Sequence, residues 1–231
     1  MKIAKRILFT FLILLLVLGG TGLWLLFGSR TSNPKNYAHI GEIPTPNGYE
    51  RVVGTNPGYT QFLRALPLKP KGSKVHLYTG GKAFFQPMNY AVVDLPLLSN
   101  AEQCADACMR LRAEYFYQTG QYNKIKFQDG NGNTQRYSGG ASREALHRYL
   151  RHLYGVASTF SLCREMQPRT LAEIQPGDVF VYPGKGQFLG HAVFVVDVAN
   201  KDGKKAFLLA EGNTPACDIN LIRNLENPFS S

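Results

Sequence analysis

The sequence predicts an α+β fold, an antiparallel sheet with helices packed on it, carried behind an N-terminal transmembrane helix. Three observations predict it. Runs of β-type composition are joined by hairpin-type turns such as Asp129-Gly130-Asn131-Gly132-Asn133 and Lys201-Asp202-Gly203-Lys204. Two segments with helical start and stop signals are embedded among those strands, an order that favours an antiparallel sheet over a parallel one. An apolar or small-residue run of 21 positions fills residues 7–27.

That run is long enough to cross a bilayer, which needs roughly 20 apolar residues. Its exit, Leu25-Leu26-Phe27-Gly28-Ser29, lacks an Ala-x-Ala cleavage pattern, so residues 1–28 read as an uncleaved anchor, with a cleaved signal as the alternative. Lys2, Lys5 and Arg6 precede it and hold the N-terminus in the cytoplasm. The expectation is a bacterial inner-membrane protein, single-pass, with its C-terminal part in the periplasm. Residues 29–58, rich in Pro, Gly and Asn, read as an extended linker, and residues 59–231 as one extracytoplasmic α+β domain.

Along that domain, residues 60–66 form one or two helical turns stopped by Pro67. Residues 74–78 and 90–95 have strand composition. A helix follows to about Tyr117, capped by Ser99 with Glu102 or Asn100 with Gln103 and ended by Gly120. Residues 124–128 and 134–137 make a hairpin. Residues 142–154 are a second helix, apolar through Leu146, Leu150 and Leu153, with Arg143, His147, Arg148, Arg151 and His152 on a solvated face. Pro176-Gly177-Asp178 introduces a strand over 179–182, residues 191–198 pair with 206–211, and 217–222 add an edge strand.

Charge and cysteine content narrow the function classes. Of 26 basic residues three precede the anchor, which leaves 23 against 16 acidic ones in the exported part. A moderately basic exported domain suits an anionic cell-wall or peptide partner and the membrane it is tethered to, and no nucleic-acid recognition motif is visible. Four cysteines in an oxidising compartment allow two disulfides in three connectivities. Their spacing contains no CxxC and no histidine clusters near them, so neither metal nor cofactor is expected.

One constellation remains. In chain order the sequence offers a cysteine early on a helix (Cys104), a histidine opening an apolar strand (His191) and a polar residue closing the next strand (Glu211 or Asn213). With residues 200–204 as the loop, the hairpin register sets His191 opposite Asn213, and Glu211 lies diagonal to it on the same face. A loop one residue different flips the face. Cys104 falls near the helix N-terminus, where free amides and the helix dipole favour negative charge on sulfur. The bland alternatives are a core thiol, half of a disulfide, and a structural histidine.

At these residues the chain resembles a known family. Leu66-Pro67-Leu68-Lys69-Pro70, Gln103-Cys104-Ala105-Asp106-Ala107 running into Met109-Arg110-Leu111-Arg112, Pro176-Gly177-Asp178-Val179-Phe180, Gly190-His191-Ala192-Val193 and Phe207-Leu208-Leu209-Ala210 look like the bacterial family of domain of unknown function 4846. More distantly, Gly177-Asp178-Val179-Phe180 before Gly190-His191-Ala192-Val193 is similar to the Gly-Asp and Gly-His pair of papain-like cysteine peptidases of the NlpC/P60 type. That resemblance implies a papain-like fold with Cys104 as nucleophile, His191 as base and Glu211 or Asn213 as the residue orienting it. The longer spacing between Cys104 and His191 makes the hairpin and basic helix an insertion.

The function expected is therefore a cell-envelope cysteine hydrolase that cleaves peptide-type amide bonds, with no cofactor. The alternatives are a non-catalytic envelope binding module on the same fold and a papain-like acyl or lipid transferase.

Overall fold

A computed structural model describes residues 35–84, 86–185 and 189–223. The expected anchor over residues 7–27 lies outside the described residues, among which no helix is long and apolar enough to cross a membrane. The fold class is α+β and antiparallel. A six-stranded sheet runs β1 (Glu50–Arg51), β6 (His191–Lys201), β7 (Lys204–Glu211), β8 (Asn220–Ile222) and β2 (Asn89–Val92), with β5 (Val179–Tyr182) paired to the other end of the β6 edge that carries β1. Every pairing in it is antiparallel. The small hairpin β3 (Lys126–Gln128) and β4 (Thr134–Arg136) stands apart.

Among the described residues there are four α-helices, α1 (Pro57–Arg64), α2 (Cys104–Gln118), α3 (Arg143–Val156) and α4 (Thr159–Glu165), of which α1, α2 and α4 pack on the sheet and α3 packs on α2. The central one, α2, packs on β6 and β7 and is buried nearly all round. An all-round buried helix is usually apolar, yet this one carries Asp106, Arg110 and Glu114 inside. Arg110 Nη1 donates to Glu102 Oε1 at 2.7 Å and to the Pro96 carbonyl at 2.8 Å. Glu114 pairs with Arg143 from α3, whose guanidinium lies 4.2 Å from the Tyr117 ring centroid. Part of the basic face of α3 is thus a structural clamp rather than a solvated surface.

Two local features depart from the expected elements and set the geometry at the sheet end. The helix begins later than its expected caps. Ser99 Oγ accepts only from Ala101 N, and the Glu102 carboxylate accepts from Leu98 N and Arg110, so neither serves the helix. Gln103 is the N-cap, with its backbone N–H donating to Asp106 Oδ2 at 2.9 Å, and this places Cys104 at the first helical position.

The β6–β7 connection is the second departure. Lys201 pairs with Lys204, and Asp202 and Gly203 have φ of +50° and +80°, the two-residue turn that Asp-Gly favours. By itself this turn shifts the register by one from that of a 200–204 loop. A bulge between Val195 and Asp197 shifts it back, so that Phe194 faces Ala210. Continued to the strand end, that offset sets His191 across from Asn213 with Glu211 diagonal to it. The bulge also presents the Asp197 carboxylate to Arg51 Nε at 2.7 Å and Arg64 Nη2 at 2.7 Å, tying β1 and α1 to the sheet.

The remaining differences are smaller. Residues 74–78 form isolated bridges, His76 to Lys82 and Leu77 to Cys217, instead of a strand, and α4 occupies residues to which the sequence assigns no element. Within the stretch expected as a linker, Ile40 and Ile43 are core residues and β1 joins the sheet, so residues 35–58 are docked on the domain. The four cysteines are free thiols.

Candidate active site

The site forms where the N-terminus of α2 meets the ends of β6 and β7. Gly212 makes the approach: a Cβ there would lie 3.1 Å from Ala107 Cβ and 3.3 Å from the Gln103 carbonyl oxygen. The residue after Glu211 therefore abuts the residue before Cys104. Thr214 Oγ1 donates to Gln103 Oε1 at 2.9 Å and fastens the loop after β7 to the helix start.

On this frame His191 Nε2 bonds Glu211 Oε2 at 2.8 Å, with the imidazole 39% exposed and the carboxylate 11% exposed. The Cys104 side chain is the other hydrogen-bonding neighbour of this ring. Together these neighbours raise the His191 pKa from its ordinary 6.5 to about 10, the Cys104 side chain being the largest cause and the Glu211 carboxylate the next, against the lowering effect of burial. An imidazolium is the form this environment favours through the neutral range.

Cys104 is buried, and at the first helical position its amide has no intrahelical acceptor. Burial pushes the nearby Asp106 carboxyl up to about 7. Near neutrality that group is only partly charged, and it opposes negative charge on the sulfur less than an ordinary aspartate would. Of the two candidate third residues, Glu211 contacts the imidazole. The Asn213 side chain instead accepts from Thr214 N at 2.9 Å. Beside Glu211 a hollow of about 100 Å³ opens between Val75, Leu77, Ala83 and Phe84 on one side and Pro215 and Cys217 on the other.

Sequence reasoning missed two positioning residues. Gln103 is one, though Gln103 and Asp106 have the three-residue spacing of a cap pair. Gly190 is the other, since a Cβ at that position would lie 2.1 Å from Thr159 Oγ1 and 2.7 Å from the Tyr182 carbonyl oxygen. A glycine before His191 lets β6 start flush against β5 and α4. Gly190→Ala is expected to displace the imidazole and lower Cys104 reactivity by on the order of 10², the loss that a displacement of about 1 Å brings. Rates of thiol alkylation at fixed pH check this, and an unchanged rate would show that the close packing does not position His191.

The class this defines is an antiparallel α+β domain with a cysteine, a histidine and a glutamate gathered at one sheet end. The model of the family described as domain of unknown function 4846 matches residues 41–141 and 135–231, and the chain belongs to that family. No curated protein and no solved structure matches the chain.

Proposed function

We propose that this protein is a cysteine hydrolase of the cell envelope that cleaves peptide-type amide bonds, with a papain-like arrangement of its catalytic groups. The observation that carries the reading is the His191 imidazole bonded to Glu211 at 2.8 Å, with the Cys104 side chain as the other hydrogen-bonding neighbour of that ring. Cys104 attacks the amide carbonyl as a thiolate, and the oxyanion accepts from the Cys104 amide at the open helix end. His191 gives its proton to the departing amine, and the acyl group stays on sulfur as a thioester. The imidazole then takes a proton from water, which attacks the thioester, and the C–S bond breaks to free the carboxylic acid and restore the Cys104 thiolate beside the imidazolium. Glu211 orients the ring and favours its charged form.

The hollow beside Glu211 suits an apolar group of the substrate, since Val75, Leu77, Ala83 and Phe84 line it. The basic balance of the chain suits an anionic wall polymer, and the apolar run over residues 7–27 suits an inner-membrane anchor with the domain in the periplasm.

The pH profile tests the reading. The folded His191 pKa lies above its ordinary 6.5, so the imidazolium persists through neutral pH and is lost as pH rises through about 10. Hydrolysis, which needs the imidazolium to protonate the departing amine, is expected to fall along an alkaline limb in that region, whereas alkylation of the thiolate is not. Removing the second cause, with Glu211→Gln, should move the limb toward neutrality. A limb that stays put in Glu211→Gln, or a thiol that titrates like a free cysteine, rejects the ion pair and the hydrolase with it.

A further inference from the structure

A second chamber lies one helical turn below Cys104 and is lined neither by Cys104 nor by His191. It measures about 300 Å³ and runs between α2, α4, β5 and β6. Cys108 lines it, with its Sγ bonded to the Cys104 carbonyl at 3.4 Å, which places the chamber about 6 Å further along the helix axis. A larger hollow of about 500 Å³ adjoins it and shares Met166, Gln167, Arg169, Asp178 and Val179 with it.

The lining has two characters. Phe127, Leu162, Met166 and Phe194 give an apolar floor. The wall and mouth are polar and unbalanced. The Tyr59 hydroxyl is buried with no hydrogen-bond partner among the described residues, although Tyr59 is only 3% exposed. Such an orphan is destabilising unless something hydrogen-bonds to it. Arg112, an exposed residue, stands over the Tyr59 and Phe116 rings, 5.9 and 4.9 Å from their centroids, so its guanidinium lies beside the ring that carries that hydroxyl. The acids of the lining are engaged elsewhere: Asp178 pairs with Arg169 at 3.4 Å, and Glu165 Oε2 accepts from Gln128 N at 3.0 Å. Among the described residues Arg112 and Lys126 have no acidic partner within ion-pair distance.

We propose that this chamber binds a single-chain amphiphile with an anionic head. The chain lies on the apolar floor, and the head, a carboxylate or a phosphate, sits between Arg112 and Lys126 and accepts from the Tyr59 hydroxyl. Two unpaired cations against the one carboxylate without an ion-pair partner, Glu165, together with a buried donor with no acceptor, favour an anion, and the floor beneath them favours an apolar body. The site stands independently of the hydrolase reading, because its groups are distinct from Cys104, His191 and Glu211.

The test is calorimetric titration of the full chain in detergent-free lipid nanodiscs, with empty nanodiscs as blank, against decanoate, decyl phosphate and decylammonium. Saturable one-to-one binding of decanoate or decyl phosphate, with decylammonium at least tenfold weaker, supports the site, and the tighter of the two anions identifies the head. Arg112→Gln and Lys126→Gln are each expected to weaken it about tenfold, as loss of a charge-assisted contact does. Tyr59→Phe should weaken it several-fold while leaving the melting temperature unchanged or higher, since it deletes an unsatisfied group. Equal binding of all three probes, no saturable heat, or binding indifferent to the exposed Lys126→Gln and to Arg112→Gln overturns the proposal.

Discussion

Cys104→Ser is expected to remove the fast-reacting thiol of the full chain and to lower amide hydrolysis by on the order of 10⁴-fold or more, as loss of a catalytic nucleophile does. The other cysteines cannot supply that reactivity equally well. The thiolate is the nucleophile, and burial pushes the Cys108 thiol well up and the Cys217 thiol up to about 11. Cys163 is half-buried and lines the larger hollow, which neither Cys104 nor His191 lines, so Cys163→Ser serves as the control that should react like the parent. Labelling with iodoacetamide followed by peptide mass mapping reads the site directly, and release of amines from cell-wall peptide fragments reads the hydrolysis. His191→Ala should abolish the fast phase of the labelling and leave a slow one. If the fast label survives in Cys104→Ser and disappears in Cys163→Ser, the nucleophile has been misassigned and the mechanism above fails.

How much of this arrangement could be read from the chain depends on the range of the forces involved. Local chemistry was legible. Pro176-Gly177-Asp178 introduced β5, Ser142 capped α3 by accepting from Ala145 N, and Asp202-Gly203 made the hairpin turn. What was not legible depended on partners far along the chain. Glu102 looked like a helix cap, but it is drawn to Arg110 in the core, and this moved the start of α2 to Cys104. Nothing in residues 193–197 announces a bulge. It is stabilised by Arg51 and Arg64 meeting Asp197 from 146 and 133 positions away.

The candidate site illustrates the same point. The proximity of His191 to Glu211 rests on two features that each shift the register by one and cancel, a tighter turn and a bulge. Choosing Glu211 over Asn213 required knowing that Thr214 N occupies the Asn213 side chain. The tether residues 35–58 read as a linker because their Pro and Gly content disfavours regular structure. Burial of Ile40 and Ile43 nevertheless docks them, and only the assembled core supplies that gain.

Arg110→Met should be the most destabilising single substitution in α2, by about 3–5 kcal/mol, the cost of stripping one partner from a buried ion pair. Arg110 is 3% exposed at its side chain, and Glu102 and Glu114 are 0% and 6% exposed. Methionine fills the volume but leaves Glu102 with Leu98 N as its hydrogen-bond donor, and Glu114 with Arg143. For a domain of this size a loss of that order lowers the melting temperature by roughly 6–20 °C. The deficit should depend on pH with a definite sign. Burial already raises the Glu102 pKa and Arg110 opposes the rise, so removing Arg110 lifts it further. A carboxyl with a raised folded-state pKa contributes stability below its unfolded value and loses it as pH rises, so the variant should be relatively stronger near pH 5 than near pH 8. Adding Glu102→Leu and Glu114→Met to the variant removes the stranded charges and should recover most of the loss and flatten the pH dependence, since an apolar replacement of a whole buried network is often neutral or stabilising. Thermal denaturation of the three proteins across pH 5–8 decides the matter. A deficit under about 1 kcal/mol, or one of equal size at both ends of the range, would mean that water reaches these carboxylates and that α2 is not held by its charges.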